Sequence, residues 1–154
     1  MGSGKTSIGK KLSKMMKFSF IDTDHIIEEK TGVDIPTIFE HEGESGFRER
    51  EKNILKEISN IENTVVGTGG GIIISPENRE IIKNLGFVVY LTADIRELVY
   101  RTAQDKSRPL IKNNNTEKVM VDIIKKREKY YENTSNIKIS TDNYDTGTIL
   151  SHFY

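Results

Sequence analysis

Gly4-Lys5-Thr6, preceded by Gly2 and Ser3, matches the second half of the pattern GxxxxGK[ST]. In that pattern the amides of a glycine-rich turn and a helix N-terminus cradle phosphates. The lysine reaches the β- and γ-phosphates of a nucleotide, and the hydroxyl ligates Mg²⁺. Counting back from Gly4, the first glycine of the pattern falls two residues upstream of Met1. A flexible N-terminus that happens to hold these letters also fits. Asp22-Thr23-Asp24 follows an apolar run. If the pair ends a strand, residues i and i+2 project on one side and two carboxylates face one volume. One then suits the water shell of a metal and the other a substrate hydroxyl. The same letters also suit a turn in which Asp24 caps the next helix. Gly69-Gly70-Gly71 bares backbone amides and lets a ligand approach closely, although a flexible turn has the same composition. Arg48, Arg108 and Arg127 each adjoin a predicted rim or lid. Their guanidinium forks match carboxylate or phosphate, and each taken singly also suits a solvated surface.

The elements that must position these residues are legible from periodicity. Ile8, Leu12, Met15 and Met16 share one face of a helix over 6–17, and Phe18 to Ile21 reads as a short buried strand. Helices are expected at about 24–30 and 35–41, broken at Gly32 and reopened by Asp34 before Pro36, and again at about 45–59 with Phe47, Ile54, Leu55 and Ile58 inward. A β-branched strand over 64–68 runs into the triple glycine, and Ser75-Pro76-Glu77 opens a helix that ends near Gly86. Further strands are expected at 87–91 and 137–140, and helices at 94–101, 116–131 and from 146. The polar stretch 102–115, with Pro109 and three consecutive asparagines, has the composition of a mobile lid. Short apolar strands alternating with amphipathic helices predict an α/β fold, mostly parallel, with helices on both faces of the sheet. Ligands on such sheets bind at the carboxyl ends of the strands.

Composition narrows the functional classes. The 154 residues are expected to form a single domain over 1–154. Lys+Arg and Asp+Glu number 23 each, so no global field draws nucleic acid or an acidic membrane. The neutrality hides an asymmetry, because residues 1–17 carry five lysines and no acid while 22–62 hold twelve acids against five bases. An anionic ligand at the N-terminal end accounts for the first stretch, as does a solvated lysine-rich helix face. There is no cysteine, and neither a secretory signal nor a membrane-length apolar run is visible. A cytoplasmic protein with small-molecule partners is expected.

Taken together the motifs resemble the shikimate kinase family of P-loop kinases. They are Gly2-Ser3-Gly4-Lys5-Thr6, Asp22-Thr23-Asp24, Gly43-Glu44-Ser45-Gly46-Phe47-Arg48 with Glu51, and Thr68-Gly69-Gly70-Gly71. Arg101 seven before Arg108-Pro109-Leu110 and Arg127 four before Tyr131 complete the order. The resemblance implies a P-loop NTPase-like parallel sheet whose first, central strand lies upstream of Met1, so that the sheet is expected to lack it. It also implies transfer of the ATP γ-phosphate to the 3-hydroxyl of shikimate, with Mg²⁺ as cofactor and a monomeric enzyme. Position by position, Gly2, Ser3, Gly4, Lys5, Thr6 and Ser7 are implied to bind ATP, with Thr6 and Asp22 at the metal. Asp24 is implied to hold the shikimate hydroxyls, and Arg48 and Arg127 to clamp its carboxylate. Gly70 and Gly71 would lie beside the ring, Glu51 would orient Arg48, Arg101 would lie against adenine, and Arg108 would swing in on the lid. Two other readings stay open: a catalytically impaired relative that still binds ligand, and a P-loop kinase for another small acid such as gluconate.

Overall fold

The computed structural model describes residues 2–103, 116–142 and 146–153. The chain starts with helix α1 (Lys5–Met16), strand β1 (Ser19–Asp22), helix α2 (Thr23–Thr31) and the long helix α3 (Ile35–Ile58). Strand β2 (Thr64–Gly67) leads through the triple glycine into a single 3₁₀ turn (Ile72–Ile74) and helix α4 (Pro76–Leu85). Strand β3 (Val89–Thr92), helices α5 (Ile95–Ala103) and α6 (Thr116–Thr134), strand β4 (Ile137–Ser140) and helix α7 (Thr146–Leu150) complete the order. All but the first residues of the expected lid, with Arg108, lie outside the described residues.

Local chemistry sets most boundaries. Asp34 accepts from the Thr37 amide at 3.0 Å, with Pro36 in the first turn of α3. Ser75 accepts from the Asn78 amide at 3.3 Å, with Pro76 opening α4. Each cap supplies a partner for a helix N–H that has none within the helix. The two helices expected on either side of residues 42–44 form one element, α3, kinked at Gly43, whose φ of 69° and ψ of −176° are accessible to glycine without strain. That kink turns the second half of α3 so that Phe47, Glu51, Ile54, Leu55 and Ile58 face inward.

The strands pair in parallel. Ser19 to Asp22 of β1 lie in register with Thr64 to Gly67 of β2, and Val89 to Thr92 of β3 with Ile137 to Ser140 of β4. Among the described residues these are two separate two-stranded sheets. An apolar cleft of about 730 Å³ lies between β2 and β3, lined by Ile8, Leu12, Val65, Leu85, Val89 and Leu91 among others. Two core clusters flank it: one joins α2, α3 and the 3₁₀ turn around Ile27, Ile38, Phe47, Leu55 and Ile72, and the other joins Ile8 to Ile139, Ile149 and Leu150. The expected inner face of α1 is narrower than the periodicity suggested. Ile8 is buried, whereas Met15 and Met16 are exposed at 42% and 45%, Met16 lining the open cleft between β2 and β3.

Candidate active site

The carboxyl ends of β1 and β2 and the start of α1 meet on one rim. Gly4 precedes α1 with φ 82°, so the helix N-terminus opens just where Lys5 and Thr6 stand. The Thr6 hydroxyl donates to Asp22 Oδ2 at 3.0 Å. Asp22 Oδ1 accepts the Asp24 amide at 3.1 Å, making Asp22 the N-cap of α2. This corrects two sequence expectations. The cap is Asp22 rather than Asp24, and the two carboxylates do not project together from a strand. Capping starts the helix at Thr23, so Asp24 sits in its first turn and takes a helical direction. Asp22 therefore faces Thr6, while Asp24 faces the glycine turn: a Cβ built on Gly69 would lie 2.7 Å from Asp24 Oδ1. A hydroxyl and a carboxylate oxygen at 3.0 Å, exposed at a helix N-terminus, form a hard donor set of the kind that holds Mg²⁺ with phosphate oxygens and water. Among the described residues no group of three or more His, Asp or Glu forms a closed metal cage.

The second half of the site is built on α3. Arg48 Nη1 lies 2.6 Å from Glu51 Oε2, and its Nη2 lies 3.0 Å from Glu44 Oε1. The guanidinium also packs so closely over Gly71 that any Cβ there would collide with it. Glu51 is fully buried, and its Oε1 has no hydrogen-bond partner. Burial pushes the Glu51 carboxyl up to about 7, against the pull of the Arg48 charge; Asp24 adds to the rise and Arg127 opposes it. For Arg48, burial acts to lower the pKa, but the Glu51 and Glu44 carboxylates outweigh it, and the net direction is upward. The guanidinium is thus held charged and aimed by two acids.

Helix α6 closes the site from the other sheet. Arg127 lines a small cavity of about 130 Å³ together with Ser3, Lys5, Gly69, Gly70 and Tyr131. The phosphate-type loop, the glycine turn and Arg127 therefore share one space. Tyr131 donates its hydroxyl to the Gly70 carbonyl at 2.6 Å, and its ring stacks on Tyr90 at 4.9 Å between centroids. Arg101 on α5 is tied to Glu97 (2.7 Å), to the Gly2 carbonyl (3.3 Å) and to the Thr141 hydroxyl (3.1 Å), which pins it against the N-terminal loop. Ser7 is exposed on the first turn of α1. The structure thus brings together Lys5, Thr6, Asp22, Asp24, Arg48, Glu51, Gly70, Gly71 and Arg127. Sequence reasoning quoted Glu44 and Tyr131 within motifs but gave neither a part to play. The i,i+4 spacing of Glu44 to Arg48 was a usable signal; nothing in the sequence paired Tyr131 with Gly70.

A parallel α/β chain with a Gly-Lys-Thr turn at the start of a helix, facing a pocket of carboxylates and guanidinium groups, defines the class of P-loop small-molecule kinases. The family model for shikimate kinase matches residues 1–154. A shikimate kinase of Nitrosomonas europaea is 46% identical over 137 residues, which is 89% of this chain and 65% of that one; the chain thus spans slightly less than two thirds of that relative. A shikimate kinase of Psychrobacter is 44% identical over 141 residues, covering 92% of this chain and 78% of its own. Among solved structures, a shikimate kinase from Acinetobacter baumannii in complex with shikimate superposes with a TM-score of 0.95 at 40% identity, covering 99% of this chain and 86% of that one. The chain belongs to the shikimate kinase family.

Proposed function

We propose that this protein transfers the γ-phosphoryl group of ATP to the 3-hydroxyl of shikimate. The observation that carries the reading is the Arg48 guanidinium seated over Gly71 and held by Glu51 and Glu44, with Asp24 and Glu51 both against Gly69, on the same rim as Lys5 and Thr6. Family membership supports it, as does the shikimate complex of the Acinetobacter relative.

In this reading the turn Gly2-Ser3-Gly4 and the first residues of α1, including Ser7, bind the phosphates through amides and hydroxyls, and Lys5 neutralises charge on the β- and γ-phosphates. Thr6 and Asp22 hold Mg²⁺, which offsets phosphate charge when bound. Arg48 and Arg127 receive the acceptor's carboxylate, with Glu51 orienting Arg48, and Gly70 and Gly71 let the ring lie against backbone. Asp24 orients the reacting hydroxyl and takes its proton as the new O–P bond forms and the bond to the ADP oxygen breaks. Arg101 borders the adenine, and Arg108 is assigned to charge on the transferring group. We further propose that the enzyme works as a monomer in the cytoplasm; among the described residues no helix is long and apolar enough to cross a membrane.

ADP release measured with Mg²⁺ and ATP against a panel of small acids tests the substrate. Turnover is expected with shikimate and absent with gluconate, and the reverse pattern overturns the reading. Arg127→Ala should raise the shikimate KM by roughly tenfold or more through loss of a charge-assisted pair, leaving the ATP KM within about twofold. Equal weakening of both substrates would show that Arg127 does not face the carboxylate.

A further inference from the structure

Tyr131 is the one polar group that joins the glycine turn to helix α6 by a side-chain hydrogen bond among those described. Arg127 and Tyr131 are four residues apart on α6 and so share a face. The Tyr131 hydroxyl has a single proton, and it goes to the Gly70 carbonyl at 2.6 Å. The hydroxyl oxygen keeps acceptor capacity on the side of the cavity that Arg127 also lines; burial raises the Tyr131 pKa, and the nearby Arg127 charge opposes it. The ring is held separately, stacked on Tyr90 of β3 with an interplanar angle of 23°. One hydroxyl thus fastens the face of α6 that carries Arg127 to the middle of the turn.

The consequence follows from peptide planarity. In a trans peptide the C=O of Gly70 and the N–H of Gly71 point in opposite directions. Tying the Gly70 carbonyl to Tyr131 therefore turns the Gly71 amide away from Tyr131. Glycine has no side chain to choose that orientation, and a run of three leaves it soft. We infer that Tyr131 is a positioning residue: through its hydroxyl it sets the Gly70–Gly71 peptide against the face of α6 that carries Arg127, so that amide and guanidinium meet a small carboxylic acid in a fixed arrangement. The inference rests on the proposed function for the identity of that acid, shikimate, but not for the coupling itself.

Tyr131→Phe removes the oxygen and keeps the stacked ring. In the unliganded full chain, the Gly71 amide and Arg127 Nε resonances should both shift in ¹H–¹⁵N spectra. If neither moves, the inference is overturned whatever the substrate. With substrates, the shikimate KM should rise roughly tenfold while the ATP KM stays within about twofold. A shikimate KM equal to that of the parent chain, or equal rises in both KM values, overturns it as well. A parent chain that fails to turn over shikimate while Gly71 and Arg127 still shift together would sink the substrate assignment and leave the positioning role standing.

Discussion

Replacing Glu51 by Gln should change how stability depends on pH. Glu51 is fully buried, with Oε2 on Arg48 at 2.6 Å and Oε1 without a partner, and burial raises its pKa from 4.5 to about 7. A carboxyl whose folded pKa lies above its unfolded value binds a proton more tightly in the folded state. Its stabilising contribution is therefore complete below about pH 4.5 and is lost as the pH rises through about 7. Over that window the loss amounts to ~3 kcal/mol, a large part of the stability of a small domain. Glu51→Gln preserves the shape and an acceptor for Arg48 but cannot titrate. Urea unfolding of both proteins at several pH values between 4.5 and 8 isolates this term. The stability of the parent relative to the variant should fall by ~3 kcal/mol across the range, on top of a constant offset from leaving Arg48 with one carboxylate fewer. A difference that stays flat over the range would mean that Glu51 is ionised throughout, and the burial argument would be refuted.

Gly71→Ala places a methyl group where the Arg48 guanidinium lies; because the guanidinium is the movable end of a long side chain, the fold should survive while the shikimate KM rises roughly tenfold. A variant with parent-like KM would show that Arg48 does not act from that position. Leu55→Ala removes a fully buried side chain from the cluster of Ile27, Ile38 and Phe47 and should cost about 2–5 kcal/mol in urea unfolding, whereas a loss below about 1 kcal/mol would mean that this cluster is not a close-packed core.

The readable parts of this protein are those in which cause and effect lie within a few residues. Asp34 with Pro36, Ser75 with Pro76, and Gly32 after α2 mark helix ends because a cap acts on amides or carbonyls one turn away. The run Ile137 to Ser140 reads as a strand in full, and the Gly-Lys-Thr turn announces a helix N-terminus built for phosphate. The same locality explains the error at Asp22 and Asp24, where a cap competed with a strand end and only the hydrogen bond from the Asp24 amide decides between them. The double-methionine end of α1 shows the other limit, since an apolar stripe does not say how far a neighbour extends along it.

By itself, then, the sequence determined the order of strands and helices apart from the joining of two helices into α3, the caps at Asp34 and Ser75, and the identity of the groups that do chemistry. The tertiary structure decided which of them meet. Gly71 lies under Arg48, Tyr131 reaches Gly70 across 61 residues, and Arg101 is tied to Gly2 across 99. It also decided that Glu51 is buried and its carboxyl raised, a property of surroundings that no side chain carries alone. The reason is physical: periodicity and capping act over one or two turns, whereas burial and long-range hydrogen bonds depend on how parallel strands and their covering helices pack, which requires the whole chain at once.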